Sequence, residues 1–312
     1  MLLVLAALPA LFWDAAPDTA PALQQAGIAR ILVPRGRLAS WKDAAGITAE
    51  AADPESAVKL LAPTVNYRMQ EATATAAPWV VANGWKILRH PESRYFYDVT
   101  GAQAALAAAE AFVYGANAMI HTDAAGLKPL ADMLHFLGGL APAGMGEPSP
   151  PVADIGYIDD GSPASGEVMN LLVRDNLLFK LVTAPDPSLK LNVRLGTPDY
   201  PLADAKNPGT VAHQVRYHLT DDKRSLRIYG SPVVVARLTG SGGHLRVQLL
   251  NYAGANRKID GLRVRVLGRY PKHQLWLAGA EGVELQDYAV GSEATEFTLP
   301  LLNMYAVIDL SR

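Results

Sequence analysis

Acidic side chains that follow short apolar runs are the residues of this sequence best suited to chemistry. Six carboxylates come directly after such runs: Asp14, Glu50, Asp98, Asp123, Asp159 and Asp160. A seventh, Glu71, belongs to a less regular segment. Carboxyl groups that converge raise one another's pKa, so one can stay protonated beside an ionised partner. Such a pair supplies the acid and the nucleophile or base that glycosidic cleavage requires.

Among these carboxylates we expect Asp159 or Asp160 to be the ionised partner and Glu71 or Asp98 to be the acid. A separation of about 5 Å predicts retention of configuration, and about 6.5 to 9.5 Å predicts inversion. The alternative is that each aspartate caps a helix, because Asp commonly ends the loop between a strand and a helix.

Aromatic and polar residues near the same positions are candidates for substrate binding. Trp and Tyr can stack on the apolar face of a sugar ring, although core packing is the alternative for each of them. The residues predicted to bind substrate are Trp13, Asp14, Trp79, Asn83, Trp85, His121 and Asp123.

Other reaction types have little support in the sequence. The chain has no cysteine, which excludes disulfides, thiolate zinc sites and cysteine nucleophiles. It lacks a His-Glu-x-x-His metal motif, a Gly-x-Ser-x-Gly serine motif and a glycine-rich phosphate loop. No cofactor is required by these patterns, but calcium could bind several of the carboxylates.

Composition describes a folded, nearly neutral chain. Its 312 residues include 50% hydrophobic and 19% charged residues, with a formal net charge of −2. Lys and Arg are scattered, so nucleic acid is not an expected partner. The apolar start, Met1–Ala10, resembles an incomplete export signal or else a first buried strand, and it is too short to span a bilayer. Localisation is therefore either exported or cytoplasmic, and no oligomeric state is predicted.

The elements that must position the acids follow from the hydrophobic pattern. From Leu11 to about Val182, short apolar runs alternate with helical stretches, which predicts a parallel (β/α)₈ TIM-like barrel. The segment Asn66–Arg94 is an extra hairpin, a long loop or a further strand. The eight predicted strands are Ala10–Trp13, Arg30–Val33, Ile47–Ala49, Leu60–Val65, Tyr95–Tyr97, Met119–His121, Ile155–Ile158 and Leu178–Val182.

The pattern changes its period in the last third of the chain. Predicted helices at Gln103–Tyr114, Ser165–Asn176 and Thr210–Leu219 give way to about seven alternating runs from Leu226 onward. Alternation of apolar and polar residues predicts a C-terminal antiparallel β-sandwich. We therefore expect a barrel domain at 1–222 and a sandwich domain at 223–312. Ala141–Pro151 is interpreted as a loop of the barrel, with a flavodoxin-like domain starting at Val152 as the competing interpretation.

The segments FWDAAPDTAPALQQAGIARILVP, APWVVANGWKILRHP and AALAAAEAFVYGANAMIHTD resemble glycoside-hydrolase-like hypothetical proteins of soil bacteria, and TEFTLPLLNMYAVIDL resembles the closing strands of their accessory sandwich. The resemblance implies a hydrolase acting on a carbohydrate. One departure concerns the catalytic pair. The fourth predicted strand ends near Asn66 without an adjacent Glu, and the seventh ends in Asp159 and Asp160, so the Asn-Glu and Glu pattern of the common barrel clan is not preserved.

Two other functions remain open on the sequence. One is cation-assisted hydrolysis of a lactone or ester, for example an acyl-homoserine lactone, with carboxylates binding calcium. The other is a non-catalytic carbohydrate-binding protein that keeps the aromatic residues but lacks a working acid pair.

Overall fold

The computed structural model describes residues 8–70, 75–140, 149–241 and 243–312. Spatial proximity divides the chain into two compact units. The first unit comprises Met1–Thr64 and His90–Pro148, and the second comprises Val65–Arg89 and Ser149–Arg312. This division does not test the predicted domain boundary after residue 222, which stays a prediction. The predictions for residues 1–7, for Glu71 and for residues 141–148 lie outside the described residues.

The described residues form nineteen strands, which in chain order are β1 (Ala10–Phe12), β2 (Arg30–Pro34), β3 (Thr48–Ala52), β4 (Val58–Leu60), β5 (Thr64–Gln70), β6 (Thr75–Val81), β7 (Arg94–Asp98), β8 (Asn117–His121), β9 (Ile155–Ile158), β10 (Phe179–Leu181), β11 (Leu191–Arg194), β12 (Leu226–Tyr229), β13 (Val234–Ser241), β14 (His244–Asn251), β15 (Ile259–Leu267), β16 (Lys272–Leu277), β17 (Gln286–Val290), β18 (Ala294–Leu302) and β19 (Tyr305–Ser311).

The same residues form six α-helices, which are α1 (Ala20–Ala26), α2 (Gly84–Arg89), α3 (Gln103–Tyr114), α4 (Ala124–Leu140), α5 (Pro163–Arg174) and α6 (Pro208–Leu219). Short 3-10 helices cover Pro17–Thr19, Arg35–Trp41, Pro54–Ser56 and Asp204–Lys206. The prediction for α3 is confirmed at both ends. Its alanine-rich sequence favours a helix, and Gly115 stops it in a left-handed conformation at φ 68°.

The first unit contains a six-stranded sheet in the order β3-β2-β1-β8-β7-β4. Every pair in it is parallel. Tyr95 and Tyr97 on β7 are fully buried on one side, whereas Asp98 points to the other side and is exposed. The predicted single strand Leu60–Val65 is wrong. Pro63 separates β4 from β5, because proline has no N–H to donate to a sheet.

The second unit contains a three-stranded parallel sheet in the order β10-β9-β11 and a two-stranded sheet of β5 and β6. The pairing of β5 with β6 identifies the irregular segment Asn66–Arg94 as a hairpin, and α2 follows it. Strand β11 was not predicted from the sequence, since its four residues, LNVR, carry little apolar signal. The parallel α/β architecture is thus confirmed, and closure into an eight-stranded barrel stays a prediction.

The C-terminal part of the second unit has the predicted antiparallel sheets. Their orders are β12-β15-β18-β17 and β13-β14-β19-β16. Among the described residues there are eight strands, because the run RIYGSPVVVARL breaks at Gly230 and contributes one strand to each sheet. Side chains from both sheets form one core, which includes Val247, Leu249, Val264, Phe297, Leu299 and Ile308.

The alternation on β14 does not leave one solvated face as predicted. Gln248 is buried, and the Tyr305 hydroxyl donates a hydrogen bond to its Oε1 at 2.7 Å. Helix α5 packs against β13 of the same sheet. A buried amide that has a hydrogen-bond partner costs little, so the polar position is tolerated on a covered surface.

Asp221, between α6 and β12, predicts a loss of stability in acid. Hydrogen bonds from Arg216, together with Arg224 and the charge of Arg227, lower its pKa to about 2. A lowered pKa in the folded state stabilises the fold above the pKa of the unfolded chain, and this contribution disappears as the pH falls from about 4 through about 2. We expect the difference in unfolding free energy between wild type and Asp221→Asn to shrink over this range, measured by urea denaturation at a series of pH values.

Asp260→Asn is the control for this prediction, because Asp260 is exposed and pairs only with Lys258 at 3.5 Å among the interactions of the described residues. A wild-type to Asp221→Asn difference that stays constant between about pH 5 and about pH 2 would contradict the prediction.

Candidate functional site

His121 lies between two carboxylates at the C-terminal edge of the six-stranded sheet. It is the last residue of β8, which pairs with β1 on one side and β7 on the other. In the register, Asp98 at the end of β7 stands opposite His121, and so does Phe12 at the end of β1. Asp14 follows Phe12 by two residues. The order of three strands therefore brings together groups that are distant in sequence.

Both nitrogens of the His121 ring have an acidic partner. Nδ1 is 2.7 Å from Asp98 Oδ1, and Nε2 is 3.4 Å from Asp14 Oδ1. The side chains of Asp14 and Asp98 are 58% and 73% exposed, whereas that of His121 is 29% exposed. The carboxylates are thus open to a solute, while the imidazole is held below them.

Aromatic rings fix the orientation of the imidazole. The Phe96 ring is stacked on His121 with centroids 6.4 Å apart, and the Phe12 ring meets it edge-on at 6.3 Å. Phe12 and Phe96 contact each other edge to face at 5.7 Å. Packing on two sides limits rotation of the imidazole and keeps both nitrogens directed at the carboxylates.

This arrangement has a consequence for protons. A neutral imidazole has one N–H donor and one acceptor nitrogen, so it can donate to only one carboxylate. The second contact is favourable only when a further proton lies between the ring and the other carboxyl group. The cluster of Asp14, Asp98 and His121 can therefore hold and release a proton.

Asp123 has the capping role that the sequence left open. Its Oδ1 accepts hydrogen bonds from the amides of Gly101 at 2.9 Å and Gly126 at 3.0 Å, at the start of α4. The hydrogen bond from Gly101 is the main reason that the pKa of Asp123 is lowered. Glu50 forms an exposed ion pair with Arg30 at 2.7 Å. These two carboxylates are occupied by the fold.

Asp159 and Asp160 lie in the second unit, after β9. Asp159 forms a two-pronged ion pair with Arg89, with both N–O distances at 2.8 Å. Burial acts to raise the pKa of Asp159, but the hydrogen bonds from Arg89 and Gly161 outweigh it and the pKa is lowered. Hydrogen bonding by Ser162 likewise lowers the pKa of Asp160. Both groups stay ionised, as predicted, but they serve the turn that starts α5.

Arg89 is a residue that the sequence analysis missed. Its side chain is 13% exposed and that of Asp159 is 14% exposed, so the pair is mostly withdrawn from water. Nη2 also donates to the Ser162 carbonyl at 3.2 Å. The only local signal was a basic residue at the end of α2, and the partner lies 70 residues away.

This ion pair predicts a clear loss of stability on mutation. Arg89→Gln leaves the Asp159 carboxylate partly buried without its charged partner, and we expect the free energy of unfolding to fall by about 2 kcal/mol. Urea denaturation measures the change. Arg94→Gln, which alters an exposed arginine, is the matched control and is expected to change stability by less than about 0.5 kcal/mol. Equal effects of the two substitutions would contradict the prediction.

The predicted substrate-binding aromatics make structural contacts. Trp13 is buried, and its Nε1 donates to Thr19 Oγ1 at 2.9 Å. The Arg174 guanidinium lies 3.6 Å from the Trp79 ring centroid, and that of Arg89 lies 5.4 Å from Trp85.

Asn83 also has a structural place. It is buried, and its carbonyl accepts the amides of Lys86 and Ile87 at the start of α2. The structure therefore places these residues in packing and capping contacts, and a role of any of them in substrate binding stays a prediction.

Metal binding and membrane insertion were also considered. Within the part of the chain that the structure describes, no group of three or more His, Cys, Asp or Glu side chains has the arrangement of a metal site. The helices of these residues include none with the length and apolar character needed to cross a bilayer.

Comparisons with known proteins bear on the fold. No protein-family model matches the sequence, and no curated protein matches it. Among solved structures, alpha-L-fucosidase isoenzyme 2 from Paenibacillus thiaminolyticus is similar with a TM-score of 0.50 and 8% identity, over 71% of this chain and 61% of that one. An exo-carrageenase GH42 from Bacteroides ovatus gives 0.36 and 10%, over 85% and 48%. The chain thus spans about three fifths and about half of the lengths of these two proteins. The fucosidase similarity shows that the fold is like that of a glycoside hydrolase.

Proposed function

We propose that this protein is a glycoside-hydrolase-like hydrolase with a carbohydrate substrate, and that Asp14 and Asp98 are its reacting carboxyl groups. The observation that carries the proposal is the shared imidazole. Two exposed carboxylates contact opposite nitrogens of His121 at the C-terminal edge of a parallel sheet, where α/β enzymes bind their ligands.

The separation of the two carboxylates supports this chemistry. The two contact distances and the width of the ring place the contacting oxygens at most about 8 Å apart, which is below the upper limit of about 9.5 Å for glycosidases. Asp98 accepts the shorter contact and is assigned the ionised role. Asp14, with the longer contact, is assigned the acid that protonates the leaving group.

His121 sets the protonation states in this mechanism. When the ring donates through Nδ1 to Asp98, its Nε2 is able to accept the proton of a protonated Asp14. One carboxyl group is then protonated beside one that is ionised, which is the combination that glycosidic cleavage needs. The imidazole also returns the proton to Asp14 after each cycle.

The predicted TIM-like barrel is part of this proposal. In a closed barrel the ends of β1, β7 and β8 would contribute to one mouth, and the three residues would lie at its rim. The glycoside-hydrolase-like fold is consistent with such a closure.

The experiment is a hydrolysis assay of the full chain on aryl glycosides, including an aryl α-L-fucoside, together with aryl esters and lactones, each with and without EDTA. We expect glycoside hydrolysis in both conditions. Lactone or ester hydrolysis that EDTA abolishes would replace the proposal with the cation-assisted alternative. Glycan binding without hydrolysis of any substrate would replace it with the non-catalytic alternative.

A further inference from the structure

The outer surface of the sheet β12-β15-β18-β17 carries arginines that the proposed hydrolysis does not use. Arg263 and Arg265 are two residues apart on β15 and share one side of the sheet. Strand β12 places Tyr229 opposite Arg263 and Arg227 opposite Arg265. The residues between them on β15 belong to the sandwich core. We call Arg227, Tyr229, Arg263 and Arg265 the arginine face.

Like charges directly opposite each other destabilise a sheet, so the pairing of Arg227 with Arg265 needs compensation. Glu296 on β18 provides part of it. Its Oε2 lies 2.9 Å from Arg263 Nη2, and its Oε1 lies 3.7 Å from Arg265 Nε. One carboxylate is thus divided between two arginines.

The compensation for Arg227 is also divided. Asp221 lies 3.3 Å from Arg227, but it also binds Arg216 at 3.0 Å and Arg224 at 3.1 Å. The acidic groups recorded in contacts of this area are Asp221, Asp287 and Glu296. Among the described residues, five guanidinium groups therefore meet three carboxylates, in a chain whose net charge is −2. This surface has a local excess of positive charge.

Tyr229 adds a flat surface to the arginine face. It is one of the exposed large side chains of the described residues, and the Arg227 guanidinium lies 4.6 Å from its ring centroid. A tyrosine ring beside a guanidinium group offers stacking for a sugar ring together with a fork of donors for an acidic substituent.

We propose that the arginine face binds an acidic polysaccharide, whose carboxylate or sulfate groups accept hydrogen bonds from Arg227 and Arg263. Arginine suits such groups because its planar fork matches two oxygens at once. The charge excess selects an anionic polymer, and Tyr229 favours a sugar over a simple anion. The inference goes beyond the proposed hydrolase, since it uses none of the groups around His121.

The test measures binding of the full chain to polygalacturonate, dextran sulfate, uncharged dextran and single-stranded DNA by affinity electrophoresis and calorimetry. We expect binding to one or both acidic polysaccharides that weakens as salt is raised. Polygalacturonate distinguishes carboxylate from sulfate as the preferred group. Equal affinity for uncharged dextran, DNA binding at least as tight as that of either acidic polysaccharide, or no binding to either acidic polysaccharide would overturn the proposal.

Variants then locate the site. Arg227→Gln and Arg263→Gln are each expected to weaken binding about tenfold. Lys258→Gln and Lys272→Gln remove exposed charges elsewhere on the sandwich and are expected to change it less than twofold. Thermal unfolding checks that all four variants fold, and salt dependence of the wild type tests the charge term if an arginine variant does not. Equal losses in the arginine and lysine variants would show non-specific attraction and overturn the proposal.

Discussion

Asp98→Asn is expected to lower kcat/KM for the best aryl glycoside by about 10² to 10⁴-fold, because it removes the ionised carboxylate of the proposed pair. Asparagine keeps the size and one oxygen of the side chain, so it can still accept a hydrogen bond from His121 Nδ1. The loss is therefore a loss of charge. Steady-state kinetics with thermal unfolding of the same preparation measures it.

Two further variants give this prediction its controls. Asp14→Asn is expected to reduce activity least for substrates with a good leaving group, since those need less help from an acid. Glu50→Gln changes another exposed carboxylate of the same sheet, which is paired with Arg30, and is expected to keep nearly full activity. An Asp98→Asn enzyme that retains more than about half of the wild-type kcat/KM would rule out the assignment of Asp98.

Asp154→Ala is expected to lower the free energy of unfolding by about 3 kcal/mol, the largest stability effect we anticipate. The Asp154 side chain is 1% exposed and immediately precedes β9. Lys190 Nζ lies 2.7 Å from its Oδ1, and Ser225 donates to it through the hydroxyl at 2.6 Å and the amide at 2.9 Å. Alanine leaves the ammonium and the amide without this acceptor.

Urea denaturation and the thermal midpoint measure this effect, and Tm is expected to fall by about 6 to 12 °C. Asp154→Asn keeps an acceptor for the Ser225 amide and should lose less than Asp154→Ala. Asp132→Asn disrupts an exposed pair with Lys128 on α4 and should change stability by less than about 0.5 kcal/mol. A loss below about 1 kcal/mol for Asp154→Ala would mean that the buried carboxylate is not needed for stability.

Much of the secondary structure followed from local patterns. The ends of α3 were predicted because alanine favours a helix and Gly115 ends it. The C-terminal antiparallel sheets were predicted because alternation of apolar and polar residues is a local property. Errors arose at Pro63, which divides one predicted strand into two, and at β11, where four residues carry too little signal.

The candidate site was predicted only in part. Asp98 was expected at the end of a strand and is found there, exposed. The ionised partner was expected at Asp159 or Asp160, but Arg89 and the turn before α5 occupy those groups. Sequence patterns could not find the Arg89 contact, because it joins residues far apart in the chain and depends on tertiary packing.

The amino-acid sequence by itself determined that acidic residues follow apolar runs, that strands and helices alternate, and that the last third forms antiparallel sheets. Only the tertiary structure decided that β8 lies between β1 and β7, and hence that His121 contacts Asp14 and Asp98. The physical reason is that local periodicity fixes which side of a strand is buried. The order of parallel strands is fixed by long-range packing, which no short segment encodes.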